Sequence, residues 1–431
     1  MQTSLQGIAN RAKTHSSHRF GNLYGLLNEE NLISCFYQLR KNGATGVDKV
    51  DFKTYEVNLQ ENVAALVDRL KRKVYKARLV KRVYIPKGNG RTRPLGILVL
   101  EDKLLQLCAS KVLNAIYEED FLKTSFAFRP GLSAKDALVN LSMDLQYGSF
   151  GWIIDADIEG YFDNIDHDWL VKMLEERIND KSFIRLIRKW LKAGILEPDG
   201  QLLHPVTGIP QGGSVSPILS NVYLHYVLDL WFEKRIKPAC EGKVKYLRYA
   251  DDSVWAFQYR REAVKYLDEM KKRLEKFGLK LSEHKTRLIR FSRFGEDNND
   301  RFDFLGFEFY WDINFKGKPQ IKKRTSRKKL QSSIQNFTDW IKINRHKRIS
   351  IIMKTLKRKL LGYWNYYGIP GNSDSIWCFY NTVVYLTHKW LNRRSGRKSY
   401  NWQGMYDLYN DFKIIRPFIK PIKLDGKFEF C

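Results

Sequence analysis

Residues 246–257 read Tyr-Leu-Arg-Tyr-Ala-Asp-Asp-Ser-Val-Trp-Ala-Phe, two apolar, β-prone runs with a pair of carboxylates between them. This pattern predicts a β-hairpin whose tight turn presents Asp251 and Asp252 at its tip. Two like charges held this close repel by several kcal/mol at low effective dielectric unless a cation lies between them. Taken alone, an aspartate pair also suits an ordinary solvated turn, so the choice depends on the rest of the chain.

The composition favours a polyanionic partner. The chain has 431 residues and a formal net charge of +28, and 43% of its residues are hydrophobic, which predicts two or three domains with their own cores. Nucleic acid is the first candidate partner for so basic a protein. An anionic membrane is the alternative, but the sequence has no apolar run of about 18 residues and no signal-peptide pattern. The five cysteines are scattered, which argues against disulfides or a zinc site and predicts a cytoplasmic location.

A second acidic segment precedes this hairpin. Residues 151–163 read Gly-Trp-Ile-Ile-Asp-Ala-Asp-Ile-Glu-Gly-Tyr-Phe-Asp. The short, β-branched start predicts a buried strand that ends near Ile158. Asp155 and Asp157 would share one face of that strand, where burial is costly unless a metal or hydrogen bonds hold them. Periodicity alone does not choose between the two aspartates.

Two further segments suit phosphate. Residues 83–97 alternate around Gly-Asn-Gly and predict a hairpin with cations on both arms. Its functional interpretation is a clamp over phosphates, with Arg93 as a fork and Lys87 as a point charge; an ordinary surface hairpin is the alternative. The loop 207–217 contains adjacent glycines at a helix start, where backbone N–H groups favour phosphate, although a plain glycine-rich helix entry fits equally.

The remaining patterns predict mostly helices. Residues 1–17 lack an apolar core and are expected to form a mobile or RNA-facing lead-in. From about residue 320 the chain becomes more basic, and its interleaved aromatic residues favour a groove along a nucleic-acid backbone over merely solvated faces. Apolar periodicity predicts helices over 22–40, 55–72, 100–117, 134–145, 169–178, 183–193, 218–234 and 261–277, and a single strand over 302–309.

In their order along the chain, these motifs resemble those of bacterial group II intron reverse transcriptases/maturases, over about residues 20 to 415. The motifs that carry the resemblance are residues 91–97, 125–130, 155–162, 210–217 and 249–252, Lys285, and residues 304–307. The resemblance implies an α+β right-hand polymerase with fingers and a split βαβ palm sheet, followed by a helical thumb/maturase domain. It implies an N-terminal extension at 1–48, fingers and palm at 49–320, a helical thumb at 321–375 and a C-terminal maturase region that binds RNA and DNA at 376–431.

The resemblance also assigns roles to residues. It implies that Asp157, Asp251 and Asp252 form a catalytic triad that binds two Mg²⁺ ions, with Ile158 as a further ligand, and so selects Asp157 over Asp155. The residues implied for deoxynucleotide binding are Lys87, Arg93, Phe162, Gln211, Gly212 and Lys285. Among these, Phe162 matches the gate that excludes the ribose 2′-hydroxyl, and Lys285 matches a lysine near the leaving pyrophosphate. The residues expected to bind nucleic acid are Arg129, Lys322, Lys323, Arg327, Arg393 and Arg394.

The expected function is RNA-directed DNA synthesis by two-metal nucleotidyl transfer, with binding of group II intron RNA to assist splicing and retrohoming. The expected partners are intron RNA or another RNA template, a DNA primer or target, and dNTPs, with no membrane and with a homodimer left open. One alternative is an RNA-binding splicing chaperone with a vestigial polymerase centre, and another is a host-adopted enzyme of phage defence. No His-Asn-His pattern or cysteine pair follows Trp402, so the endonuclease domain of some relatives is expected to be absent.

Overall fold

The computed structural model describes residues 2–88, 91–293, 300–394, 399–420, 423–424 and 427–428. The α-helices are Gln2–Thr14 (α1), Glu29–Phe36 (α2), Phe52–Val57 (α3), Leu59–Lys71 (α4), Leu100–Tyr117 (α5), Ala134–Tyr147 (α6), Tyr161–Asn164 (α7), His167–Glu175 (α8), Lys181–Leu191 (α9), Ser216–Leu224 (α10), Lys237–Ala239 (α11), Arg260–Lys276 (α12), Arg327–Asn344 (α13), Ile349–Tyr367 (α14), Ser373–Leu391 (α15) and Trp402–Asp411 (α16). The strands are Val80–Gly88 (β1), Arg91–Ile97 (β2), Trp152–Ala156 (β3), Ile195–Leu196 (β4), Leu202–Leu203 (β5), Val244–Tyr249 (β6), Asp252–Phe257 (β7), Arg287–Arg290 (β8), Phe302–Phe304 (β9), Phe307–Ile313 (β10), Pro319–Thr325 (β11), Lys423–Leu424 (β12) and Lys427–Phe428 (β13).

A four-stranded sheet forms the palm. Its strand order is β6-β7-β3-β8, and every neighbouring pair is antiparallel. Helices α7 to α11 connect β3 to β6, and α12 connects β7 to β8. Each of these helical connections therefore joins two strands that flank a third, which is the split βαβ arrangement that was predicted.

Apolar cores cover both faces of the palm sheet, because successive side chains of a strand point to opposite faces. Ile154, Trp255 and Phe257 belong to the large core that the surrounding helices complete. Ile153 and Val254 belong to a second core, shared with α6 and with the sheet β11-β10-β9. A third core lies within α13 to α16, the helical region that was expected to follow the palm.

The N-terminal segment differs from the prediction of a mobile lead-in. Helix α1 packs against α5, and Ala12 is buried. The buried guanidinium of Arg177 donates hydrogen bonds to the main-chain carbonyls of Ala12, His15, Ser16 and His18. Arg177 therefore satisfies carbonyls at and beyond the end of α1 and holds the segment in place.

Three other element predictions are corrected. Within residues 22–40 the α-helix covers only Glu29–Phe36, because Asn28 caps it and accepts from the Asn31 N–H. The single strand predicted at 302–309 is a hairpin, since Leu305 and Gly306 both take positive φ angles, 50° and 79°. The helix predicted at 218–234 continues past α10 with two π-helical segments, His225–Asp229 and Phe232–Ile236.

Candidate active site

The turn between β6 and β7 presents the paired aspartates. Tyr249 pairs with Asp252, which leaves Ala250 and Asp251 as the two turn residues. Ala250 adopts a φ of 58°, a conformation that costs a residue with a Cβ about 1–3 kcal/mol unless its surroundings stabilise it. Asp251 is half-buried and Asp252 is exposed at the adjoining strand end. The hairpin predicted from the sequence is confirmed.

The third aspartate, Asp157, lies at the same end of the palm strands. Strand β3 ends at Ala156, which pairs with Ser253, so the next positions along the two strands are Asp157 and Asp252. The main chain here is also fixed from the other side, because the Asp157 carbonyl accepts the Ser282 N–H at 2.8 Å. Ile158 forms an isolated bridge with Leu281 next to this bond.

The carboxylates of Asp157, Asp251 and Asp252 repel one another. Burial, and then the Asp157 carboxylate, raise the pKa of Asp251, against the opposing effect of Arg93 and Lys285. Desolvation by the surrounding protein, followed by the charges of Asp251 and Asp157, raises the pKa of Asp252 to about 7. Water screens part of this repulsion, because Asp252 is exposed. A concentration of negative charge of this kind favours a bound cation.

The donor set suits a hard divalent cation. Mg²⁺ prefers carboxylate and carbonyl oxygens, and Asp157, Asp251 and Asp252 offer carboxylates that repel one another. Within the described residues, no three acidic, His or Cys side chains are already gathered closely enough to hold a metal. Instead, the Lys285 ammonium forms an ion pair with the Asp157 carboxylate. The residue types therefore fit the ion, with Lys285 supplying positive charge at the same place.

Asp155, the other aspartate of β3, has a different environment. Its carboxylate forms an ion pair with Arg287 of β8 at 3.0 Å, between directly paired residues of neighbouring strands. Burial raises the pKa of Asp155 to about 6, and Arg287 opposes that rise. Asp155 thus has a cation of its own within the sheet.

A cleft of about 580 Å³ opens beside the turn. Seven of the residues predicted for the site line it: Arg93, Asp157, Ile158, Phe162, Gln211, Asp251 and Lys285. Gly212 lies just behind this lining with a φ of 116°, and a Cβ there would stand 2.4 Å from the Gly96 carbonyl oxygen. The Gly96 N–H donates to the Gln211 carbonyl at 2.6 Å, so this glycine contact joins the loop to β2.

Among the described side chains, the other predicted residues do not line the cleft. Lys87 is in β1, but its side chain lies outside the described residues. Lys322 pairs with Asp312 at 3.0 Å and Lys323 donates to Ser142, while Arg327 is exposed at the start of α13. Arg393 and Arg394 follow α15, where Arg394 donates to the Lys347 carbonyl.

Arg129 is placed differently from the prediction. Its guanidinium pairs with Glu118 at 2.7 Å and donates to the carbonyls of Leu122 and Ser125. The side chain is only 9% exposed, so these internal bonds, rather than contact with nucleic acid, account for its position.

Sequence reasoning missed the polar groups beneath the turn. Arg248 of β6 is fully buried and pairs with the fully buried Asp229 at 2.6 Å. The signal was present in the sequence, because a cation at an inward-facing position of an apolar strand requires a buried acidic partner. His284 and Ser282 also line the cleft, beside Lys285.

No helix of the described residues has both the length and the apolar character needed to cross a membrane.

Residues 85–309, more than half of the chain, match the family described as reverse transcriptase (RNA-dependent DNA polymerase). The group II intron-encoded protein LtrA of Lactococcus lactis subsp. cremoris is 28% identical to this chain, over 89% of this chain and 75% of its own length. Protein YkfC of Escherichia coli (strain K12) is 33% identical over 61% of this chain and 74% of its own length. A telomerase structure from Candida albicans covers 82% of this chain and 67% of its own, with a TM-score of 0.44 and 14% identity. The family match, together with the palm topology and the acidic turn, shows that the chain belongs to the reverse transcriptases and is an RNA-directed DNA polymerase.

Proposed function

We propose that this reverse transcriptase copies RNA into cDNA by two-metal nucleotidyl transfer at the β6–β7 turn, using Asp157, Asp251 and Asp252. The observation that carries the proposal is that all three aspartates lie at one end of the palm strands, beside a cleft that Arg93 and Gln211 also line. When bound, two Mg²⁺ ions would activate the primer 3′-hydroxyl and stabilise charge on the triphosphate and the departing pyrophosphate.

The other cleft residues have complementary tasks in this proposal. Arg93 binds triphosphate oxygens with a planar fork of donors. Phe162 faces the sugar and excludes a 2′-hydroxyl, while Gln211 and Gly212 support the template–nucleotide pair. Lys285, whose side chain is 56% exposed, offers its ammonium to the leaving pyrophosphate. Charge is thereby stabilised where it develops during transfer.

The second part of the proposal is that the chain binds group II intron RNA and assists splicing and retrohoming. Its similarity to a group II intron-encoded protein over 89% of its length supports this assignment. The net charge of +28 and the exposed cations of the C-terminal helices supply the electrostatic attraction that RNA binding requires. A DNA primer or target and dNTPs are the remaining partners.

The test of the catalytic proposal is primer extension on an RNA template with the double variant Asp251→Asn/Asp252→Asn. Loss of two metal-binding carboxylates is expected to lower the extension rate by about a thousandfold or more, while RNA affinity is unchanged. Asp168→Asn, which removes a largely exposed carboxylate on α8, serves as the control and should extend normally. Extension by the double variant at the wild-type rate would show that the centre lies elsewhere.

The intron proposal needs a separate readout. The same double variant should still promote splicing of a group II intron RNA, because splicing assistance uses RNA binding rather than nucleotidyl transfer. Failure of both the wild type and the variant to stimulate any group II intron RNA offered would favour a reverse transcriptase adopted for another cellular role.

A further inference from the structure

Arg248 forms a fully buried guanidinium centre directly beneath the turn that carries the paired aspartates. Its Nε and Nη2 atoms donate to the two carboxylate oxygens of Asp229, at 2.9 and 2.6 Å. Its Nη1 atom donates to the Asn221 side chain at 3.1 Å and to the Ala250 carbonyl at 3.2 Å. One side chain therefore connects the backbone of the turn to two sites on the neighbouring helix.

The partners of Arg248 are themselves fixed. Asp229 is fully buried, ends the first π-helical segment after α10, and accepts the Tyr246 hydroxyl at 2.6 Å. Asn221 of α10 donates its amide to the Ala127 carbonyl at 2.8 Å. A π-helical segment shifts the register of the side chains that follow it and is frequent at functional sites. Here that segment carries the carboxylate that Arg248 requires.

The main chain of Arg248 forms a third connection. Its N–H donates to the Thr124 carbonyl at 2.8 Å, and its carbonyl accepts the Phe126 N–H at 3.0 Å. The edge of β6 is thus joined to residues 124–127, to which Asn221 also binds. The turn, the helix after the glycine-rich loop and this segment meet at one residue.

Stability alone is a weak explanation for this arrangement. A buried ion pair is often replaceable by apolar residues of similar volume without loss of stability, because desolvation offsets much of the attraction. The contact with Ala250 is more specific, since this residue has a positive φ and immediately precedes Asp251. A donor to its carbonyl stabilises this left-handed conformation, and so fixes the backbone from which the paired aspartates project.

We propose that Arg248 is a positioning residue for the polymerase reaction, which fixes the β6–β7 turn so that Asp251 and Asp252 are preorganised for metal binding. This inference rests on the proposed metal-binding role of the two aspartates. Arg248 touches neither substrate nor metal, and acts through the main chain of Ala250.

The principal test is Arg248→Lys, which keeps a positive charge for Asp229 but has three donors on a single nitrogen and cannot reproduce the four bonds that the guanidinium makes from three nitrogens. Misplacement of the turn is expected to lower kcat about tenfold to a hundredfold and to raise the Mg²⁺ concentration needed for half-maximal rate. The KM for dNTP should change by less than about threefold, because the Arg93 side of the cleft is untouched.

Arg177→Lys is the matched control. Arg177 is also buried, pairs with Asp120 at 2.8 Å and donates to main-chain carbonyls, but it holds the N-terminal segment instead of the turn. It should lower the melting temperature with no change in kcat or Mg²⁺ dependence. An equal effect of the two variants on kcat and Mg²⁺ dependence would reduce the role of Arg248 to stability and overturn the proposal.

The double variant Arg248→Met/Asp229→Leu removes both buried charges and covers the case in which the single variant does not fold. Its melting temperature should approach that of the wild type while kcat stays low, whereas recovery of kcat would refute positioning. The outcome is distinct from failure of the metal-site proposal. If Asp251→Asn/Asp252→Asn is inactive but folded Arg248→Lys is fully active, only the positioning role fails; if the aspartate variant is active, the proposed metal site fails first.

Discussion

The arginines around the palm and the cations of the C-terminal helices have opposite environments. Arg248, Arg177 and Arg129 each bind an acidic side chain and one or more main-chain carbonyls inside the protein. These guanidinium groups are committed to the fold and have little capacity left for a ligand.

Around Trp390 the cations are arranged differently. Lys342, Arg345 and Arg393 lie 5.3, 5.2 and 5.4 Å from the centroid of its indole ring. Among the described residues, none of these three cations has an acidic partner. They come from the end of α13 and the segment after α15, so two parts of the C-terminal region direct positive charge to one place.

This difference separates two uses of positive charge. The net charge of +28 attracts a polyanion to the whole molecule, but cations that are bonded inside the protein have less capacity for phosphates than cations without internal partners. Catalysis is therefore expected to depend on the paired and buried groups of the palm, and RNA affinity on the cations of the C-terminal helices.

The largest effect should come from two aspartates that are only two positions apart. Asp157→Asn is expected to reduce primer extension by about a thousandfold, because it removes a proposed metal ligand. Asp155→Asn should stay within about threefold of the wild type, since it only breaks an ion pair with a half-exposed arginine. Steady-state extension on an RNA template measures both, and a reversed order would transfer the metal-binding role to Asp155.

Phe162→Ala should have the next largest effect, on the choice of sugar. Removing the ring opens space in the cleft for a 2′-hydroxyl, and pocket contacts of this size discriminate by about tenfold to a hundredfold. The measurement is the ratio of kcat/KM for a deoxynucleotide and its ribonucleotide counterpart. Phe162→Tyr is the control that retains the ring and should retain selectivity; an unchanged ratio in the alanine variant would exclude Phe162 as the gate.

How much was predictable depends on how local each feature is. The β6–β7 hairpin and α5 were predicted because alternation and helical periodicity are properties of short segments. The convergence of Asp157 with the turn depends on the register of β3 against β7, which periodicity does not contain and only the resemblance supplied. Likewise, helical periodicity does not identify Asp229 as the partner of Arg248, because Asp229 lies in a π-helical segment, which changes the register of the side chains.

The environment of His225 predicts how the palm responds to acid. Burial lowers the pKa of His225 to about 4; the charge of Asp229 opposes this shift, and the charges of Arg248, Lys234 and Arg129 add to it. An unfolded histidine takes up a proton below about pH 6.5, whereas the folded one does so only near pH 4, so its contribution to stability is lost as the pH falls between these values. At about pH 5 the loss relative to neutral pH should be about 2 kcal/mol.

Urea denaturation at neutral and acidic pH measures this effect. His225→Phe keeps an aromatic ring beside Phe121 but does not titrate, so its unfolding free energy should fall less towards acid pH. Comparing the variant with the wild type cancels other titrating groups, including Asp102, whose pKa burial raises to about 6. Equal pH slopes for the two proteins would contradict the assignment.

Neutralising the three cations around Trp390 should weaken RNA binding without affecting chemistry. The triple variant Lys342→Gln/Arg345→Gln/Arg393→Gln is expected to lose about tenfold in affinity at moderate salt, and the slope of log affinity against log salt should fall by about two to three. The extension rate at saturating template should remain at the wild-type value. An unchanged salt slope would show that these cations do not contact phosphate.

Arg129→Lys should have the smallest effect on RNA, although Arg129 belongs to the same positively charged chain. Its guanidinium is bonded to Glu118 and to the carbonyls of Leu122 and Ser125, so lysine would lose some of these bonds and destabilise the fold by about 1–2 kcal/mol. RNA affinity should change by less than about twofold, because no phosphate contact is lost. Filter binding and thermal unfolding separate the two quantities. A drop in affinity as large as that of the triple variant, without a loss of stability, would contradict the conclusion that buried cations stabilise the fold while exposed cations bind RNA.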